Sequence, residues 1–366
     1  MNTIGDRIRS VWNRIKAGPA ITRAHFTMAD DEQPAFQDDQ HYFQVIVNEM
    51  FLAKQREWFV NYAPVAFVAA TYQYGRTKGE TAPAIIGPSM FQEYRQEVPQ
   101  GAIIRNAPVT GLHPYRGGPF TLTIVFSKVE QSNNVDKVLT VLEDFAGIAN
   151  PVKPAIPFVS YLKVAGDVVD GFRTLMNLPE AAPLMAHRLT INPTVNQPFE
   201  PTHLVLIDAD ESTVDRDAFT IHTDGPYARL YHNGAPYREN DFLLLQIAQG
   251  TRRDDAETLP FYPLWEKALQ QAMQSGNGNE EMWKQAKAHY NSLKYEMRFS
   301  PDLTRPDYDR LRQTYLSELT AVRQEAVDEG LLGPRDEADA EALTPDERAD
   351  MRAIEATLDA LDAENL

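Results

Sequence analysis

Hydrophobic positions change their period three times along this chain. At the start, Ile4, Ile8, Val11, Trp12 and Ile15 recur at the spacing of one helix face, with Arg7, Arg14 and Lys16 off the stripe. The pattern predicts a short basic amphipathic helix within residues 1–26, broken at Gly18-Pro19. Residues 27–40 are polar and acidic and read as a linker. From His41 the period falls to two. Phe43, Val45 and Val47 alternate with Tyr42, Gln44 and Ile46, and residues 58–62 and 65–74 are rich in aromatic and β-branched side chains. Residues 75–81 read as a turn, and 102–110 as a further strand. The clearest strand is 120–127, with Phe120, Leu122, Ile124 and Phe126 on one face and Thr121, Thr123, Val125 and Ser127 on the other.

Helical spacing then interrupts the strands. Val138, Leu139, Leu142 and Phe145 form one stripe, with Asn134 as a candidate cap, and 157–176 forms a second helix that opens on Pro157. Together they predict a helical hairpin inserted at 135–176. Strands resume at 187–191, 203–207, 218–223, 226–232 and 241–249. Asp224-Gly225 and Asn233-Gly234 mark tight turns, because both dipeptides tolerate positive φ. Past Leu259 the period is helical to the end. The stripes are Leu264, Trp265, Ala268, Leu269 and Met273; then Met282, Ala286, Tyr290, Leu293 and Met297; then Tyr308, Leu311, Tyr315, Leu319, Val322 and Ala326. A last helix starts at Thr344-Pro345-Asp346-Glu347, a capping box, and carries Met351, Ile354, Leu358 and Leu361 on one face. The expected fold is α+β. An antiparallel β-sandwich or open barrel spans residues 41–257 and holds the helical hairpin, a helical region covers 258–330, and an acidic helical tail covers 331–366.

Composition narrows the chemistry. The 366 residues include no cysteine, which excludes disulfides, a thiol nucleophile, thiolate zinc sites and iron–sulfur clusters. The first 18 residues hold no unbroken apolar run of the kind a secretory signal needs, so a cytoplasmic protein is expected. The greasiest stretch, 157–176, contains Lys163, Asp167, Asp170 and Arg173, too many charges for a membrane span. The formal charge is −17, unevenly spread. Residues 325–366 hold 14 acidic and 3 basic residues, whereas Arg7, Arg9, Arg14, Lys16 and Arg23 face only Asp6 in the first 27. An acidic body argues against general nucleic-acid binding, which needs clustered cations on phosphates.

Three constellations are candidates for chemistry. The first is Asp208-Ala209-Asp210 at the end of an apolar strand, where paired carboxylates would suit a divalent cation. It resembles the first motif of haloacid-dehalogenase-type phosphatases, a resemblance that implies a nucleophile at Asp208 and a general acid at Asp210. The sequence departs from that family at Ser212, in the lack of lysine between Asp208 and Asp254, and in its antiparallel surroundings. The second is His222-Thr223-Asp224 with His232, the opening of a two-histidine, one-carboxylate site, although Asp224 falls in the turn itself. The third joins Pro114-Tyr115-Arg116-Gly117-Gly118, before the best strand, to Arg252-Arg253-Asp254-Asp255, just past the last one. Physically, the glycines permit an unusual turn, and Arg116, Arg252 and Arg253 are expected to pair with Asp254 or Asp255 and tie strand ends together, or to hold a ligand.

Those two segments resemble an uncharacterised family of bacterial proteins in which such a turn enters a long strand and an Arg-Arg-Asp-Asp follows the last one. The similarity covers roughly residues 41–270. The resemblance implies a link to gene clusters of conflict or antiphage-defence type and implies no catalytic residues.

Phosphate-loop, dinucleotide-binding, nucleophile-elbow and His-Glu-x-x-His motifs are absent from the sequence. The expected function is therefore a non-enzymatic scaffold or accessory subunit of a bacterial multi-protein system, without cofactor. It would meet protein partners or itself through its terminal helices, the first by Ile8, Trp12 and Ile15, the last by Ile354, Leu358 and Leu361. Two alternatives stand beside it: a divalent-metal-dependent hydrolase built on Asp208 and Asp210, and a peripheral membrane protein anchored by Ile8, Trp12 and Ile15.

Overall fold

A computed structural model describes residues 3–16, 24–29, 33–54, 56–57, 60–75, 78–87, 95–98, 101–132, 158–193, 198–224, 227–275 and 279–328. The fold is α+β, with antiparallel, unclosed sheets and a helical C-terminal region. The chain divides into two compact units. One is Met1–Pro260 with Arg298–Tyr308; the other is Phe261–Met297 with Asp309–Leu366. The sequence places all of residues 258–330 in the helical region, whereas residues 298–308 belong with the β-rich unit.

Two large sheets face each other in the first unit. One runs β1 (Ala24–Ala29), β11 (Thr202–Ile207), β15 (Phe242–Gly250), β2 (Tyr42–Leu52), β7 (Gly101–Pro108) and β6 (Arg95–Val98), with β8 (His113–Pro114) also on β2. The other runs β10 (Ala181–Ile191), β9 (Phe120–Glu130), β4 (Val60–Tyr74) and β3 (Arg56–Glu57), with β5 (Lys78–Ile86) also on β4. Between them lies one apolar core. Phe43, Val45 and Val47 come from β2, Leu122, Ile124 and Phe126 from β9, Val68 and Ala70 from β4, and Leu243, Leu245 and Ile247 from β15. This is the sandwich its alternating strands predict.

Each sheet is also covered on its outer face. Over the second sheet lie α1 (Ile4–Lys16) and α2 (Phe158–Leu175), which bury Ile8, Val11, Ile15, Val169 and Phe172 against Val65, Phe67 and Val125. The Phe67 and Phe172 rings stack at 4.5 Å. Over the first sheet lies a small meander of β12 (Phe219–Asp224), β13 (Tyr227–His232) and β14 (Ala235–Pro236). It packs Phe219, Leu230 and Tyr237 on Phe51, Val205 and Phe242. Strands buried on both faces lose their alternation, as β4 does from Ala63 to Ala70.

Several local expectations are corrected. The supposed linker at 27–40 holds the end of β1, which pairs with β11 from Ala24 opposite Ile207 to Ala29 opposite Thr202. Of the supposed turn at 75–81, residues 78–81 belong to β5, which starts at Lys78. The second helix of the expected hairpin is α2; its first helix, 135–148, lies outside the described residues, as does the tail helix with Ile354, Leu358 and Leu361. Among the described residues no helix is long and apolar enough to cross a membrane.

The second unit is built from α3 (Tyr262–Gln274), α4 (Glu280–Arg298) and most of α5 (Arg305–Asp328). Its buried stripes are Trp265, Ala268 and Ala272, then Trp283, Ala286, Tyr290 and Leu293, then Leu311, Tyr315 and Leu319. Trp265 stacks on Tyr315 at 4.4 Å. Met273, placed on the α3 stripe by sequence, faces outward instead.

Candidate functional site

A gathering of ionisable side chains lies at one end of the sandwich unit, where strand termini meet residues 298–308. Arg253 follows β15 and is buried. Its Nε and Nη2 donate to the two oxygens of Asp255 at 2.7 and 2.9 Å, a bidentate fork, and Nη1 donates to the Asp302 carbonyl at 2.7 Å. The Arg253 backbone N–H donates to Asp307 at 2.9 Å. Tyr42, at the start of β2, donates its hydroxyl to the same Asp307 oxygen at 2.9 Å and accepts from the Thr304 N–H at 3.1 Å. Tyr74, at the end of β4, donates to Asp302 at 3.0 Å. Arg116 pairs with Asp39 and donates to the Leu303 carbonyl at 2.6 Å and the Ser300 carbonyl at 3.4 Å.

Two glycines allow this. Gly117 and Gly118 have φ of +70° and +75°, a region that side-chain-bearing residues avoid. A Cβ on Gly118 would also lie 2.7 Å from Gln73 Oε1. The double turn therefore sends Arg116 toward Asp39 while the chain reverses into β9.

Burial and pairing set the charge states. Burial pushes the His113 imidazole down to about 3, helped by the Arg253 cation, with Asp255 opposing. Burial also raises the Asp302 carboxyl against the pull of Arg253, and raises Asp39 against Arg116. Burial alone would raise Asp255 too, but the Arg253 fork outweighs it and holds that carboxyl below its ordinary range. The Tyr42 and Tyr74 hydroxyls are raised by burial and then by the Asp307 and Asp302 carboxylates. Neutral His113 packs among aromatic rings, 5.0 Å from Tyr72 and 5.9 Å from Phe43. This arrangement can hold a chain segment rigidly: both arginines terminate on main-chain carbonyls of residues 300–303.

Of the expected arginine–aspartate set, Arg253 and Asp255 meet as described. Arg252 and Asp254 pair at 3.2 Å on the surface. The partner found for Arg116 is Asp39 rather than Asp254 or Asp255. Sequence reasoning missed Asp39, Asp302 and Asp307. Their pairing partners lie far along the chain, and no local motif flags them.

The Asp208–Asp210 segment has another use. Asp210 caps a short 3-10 turn, Glu211–Thr213, accepting from the Ser212 N–H at 2.9 Å and from its hydroxyl at 2.6 Å. Among the described residues no group of three or more His, Asp or Glu could hold a metal ion. His222 stacks on Tyr231 at 4.2 Å, and His232 stacks on Phe219 at 4.6 Å and lies 3.4 Å from Glu239. His232 stands opposite Phe219, and His222 opposite Arg229. Ile8 and Ile15 are buried within the chain's own core and Trp12 is half-buried, so in this conformation the apolar stripe of α1 is occupied by α2 and the sheet. Arg7 fastens it through Asp170.

A second ionic cluster has no sequence motif at all. Glu49 on β2 is fully buried and accepts from Arg105 Nε and Arg238 Nη2, each at 3.1 Å, and from the Leu230 N–H at 3.0 Å. It links β7, the loop before β15 and the meander. Comparison with known proteins finds no matching family model, no matching curated protein and no matching solved structure.

Proposed function

We propose that the protein is a non-enzymatic interaction subunit, a scaffold or accessory component of a cytoplasmic bacterial multi-protein system. The observation that carries this reading is the use made of the ionic joint. Arg116 and Arg253, the cations a ligand site would need, are spent on Asp39, Asp255 and the carbonyls of Ser300, Asp302 and Leu303. Such an arrangement supports rigidity rather than turnover. The resemblance of the two segments that supply these arginines to a family loosely linked to antiphage-defence gene clusters supports a system of that type.

Charge supplies the contact. With Ile8, Val11 and Ile15 turned inward, α1 leaves Arg9 and Arg14 exposed. The acidic residues 325–366 of a neighbouring copy are the complementary segment. Contacts between exposed charges are screened within about 10 Å at 0.1 M salt. Light scattering at low and high salt tests the reading: an oligomer that dissociates in salt, and fails to form when residues 333–366 are deleted, is expected. A full chain that has the mass of one copy at both salts overturns it.

A further inference from the structure

Helix packing in the second unit turns an apolar flank outward. Gln271 of α3 donates to Gln285 of α4 at 3.2 Å, and Arg323 of α5 lies over the Trp283 ring of α4 at 4.3 Å. Trp265 of α3 stacks on Tyr315 of α5. At about 100° per residue, Leu269 and Met273 stand on the flank of α3 opposite Gln271, and Val322 on the flank of α5 away from Arg323. These three side chains therefore border a groove between α3 and α5, on the side away from α4. The same contacts set their level. Met273 lies at the end of the bundle that holds Trp283, Arg323 and the close of α5 at Asp328. Leu269 and Val322 are half-buried, and Met273, 58% exposed, is the most exposed large apolar side chain among the described residues.

We infer that this groove is the docking site of the chain's own last helix, which lays Met351, Ile354, Leu358 and Leu361 along Leu269, Met273 and Val322 and turns its acidic residues to solvent. The four tail residues follow one another at steps of three, four and three, the spacing by which one helix seats against others. The chain leaves α5 at the Met273 end of the groove, so the tail starts beside its own site. Residues 329–343 separate α5 from the capping box at Thr344. Extended, these fifteen residues reach up to about 50 Å, against about 20 Å for the whole of α3, so the tether allows a return along the groove. Docking makes a four-helix arrangement from three helices that already pack together. Met273 suits such a contact, because its flexible thioether adapts to the side chains that meet it. The inference goes beyond the assembly reading and stands with or without it. Asp346, Glu355 and Asp359 lie off the apolar stripe, so a docked tail still offers its charge to a neighbouring copy.

Hydrogen exchange resolved by peptide tests the docking in the full chain. Amides of residues 348–362 are expected to be protected, equally at low and high protein concentration. Met273→Asp, a change at an exposed position, should speed their exchange by at least about tenfold, because it sets a carboxylate where the tail seats its apolar stripe. Gln274→Asp adds the same charge one residue on, at an exposed position off the groove, and should leave the protection unchanged. A tail that exchanges at the rate of an unstructured peptide overturns the inference. So does protection that survives Met273→Asp, which places the helix elsewhere, and protection lost equally in Gln274→Asp, which reduces the effect to charge repulsion. Protection that falls away on dilution assigns the groove to the tail of a second copy and overturns docking within one chain.

Discussion

Two buried arginine–carboxylate clusters hold this sandwich together, and they are built in opposite ways. At the strand ends, Arg253 and Arg116 serve two carboxylates, Asp255 and Asp39, and three main-chain carbonyls, so cations are the shared resource. On the outer face of the first sheet, Glu49 alone serves Arg105, Arg238 and a backbone N–H, so the anion is shared. The first cluster gathers charged groups from strand ends and turns. The second exists because β2 carries a bulge. Pairing with β15 slips between Leu244 and Leu245, opposite Asn48, so that Val47 and Met50 both face the inter-sheet core while Glu49 and Phe51 turn outward. A one-residue insertion thus moves a carboxylate that strict alternation would drive into hydrocarbon to a place where two guanidiniums wait.

The comparison is sharpened by removing the shared member of each cluster. Arg253→Met should be the most damaging single change, since it leaves the buried Asp302 carboxyl and carbonyl without their cation and the half-exposed Asp255 without its fork; a loss of about 3–5 kcal/mol in urea unfolding is expected. A loss below about 1 kcal/mol would show that the joint is not a strut. Glu49→Gln keeps the shape but strands two arginines, one of them lying 5.2 Å over the Phe51 ring. A loss of about 2–4 kcal/mol is expected, with hydrogen exchange of β13 rising first because the Leu230 N–H loses its anionic acceptor. If β13 stays as protected as the rest of the sandwich, Glu49 is not what holds the meander.

Next in size is a pH effect. His113 is held neutral in the fold down to about 3, but an unfolded chain would take up its proton near 6.5. Its contribution is complete above 6.5 and is lost as pH falls toward 3, by about 1.4 kcal/mol per pH unit inside that window. Stability of the unmodified protein minus that of His113→Phe, followed from pH 7 to 5, should shrink by that slope; a flat difference would mean the ring is protonated in the fold. The smallest effect belongs to Arg252→Ala. Both members of the Arg252–Asp254 pair are mostly exposed, 64% and 76%, so a change under about 0.5 kcal/mol is expected in the same assay. The adjacent arginines 252 and 253 then differ in worth because one is buried, forked on its carboxylate and bonded to a main-chain carbonyl, while the other is exposed.

Legibility in the sequence follows the same division. The strand at Phe120–Glu130 was readable because Phe120, Leu122, Ile124 and Phe126 mark one face, and the helices after Leu259 because their stripes are long. The strand Lys78–Ile86 was not, since Gly79 and Pro83 give it the composition of a loop while β4 supplies the pairing. Ala24–Ala29 was hidden for a related reason: six residues with one large ring gain strand form from β11, not from their own propensity. In the joint, Arg253 and Asp255 could be matched because only one residue separates them. Asp302 and Asp307 could not, since they reach Tyr74 and Tyr42 across more than 220 positions.

What the sequence determines by itself is periodicity and local chemistry: the α+β class, the order of the strongly periodic strands and helices, the glycine pair that reverses the chain before β9, and an arginine beside its own carboxylate. Those depend on neighbours within a turn or two, where side-chain spacing is set by backbone geometry. Only the tertiary structure decided that α1 spends its apolar face on α2, that residues 298–308 return to the sandwich, that Asp210 serves as a cap, and that a bulge sends Glu49 outward. Each of these turns on register and on contacts between distant segments, which the packing of whole layers selects and no local pattern contains.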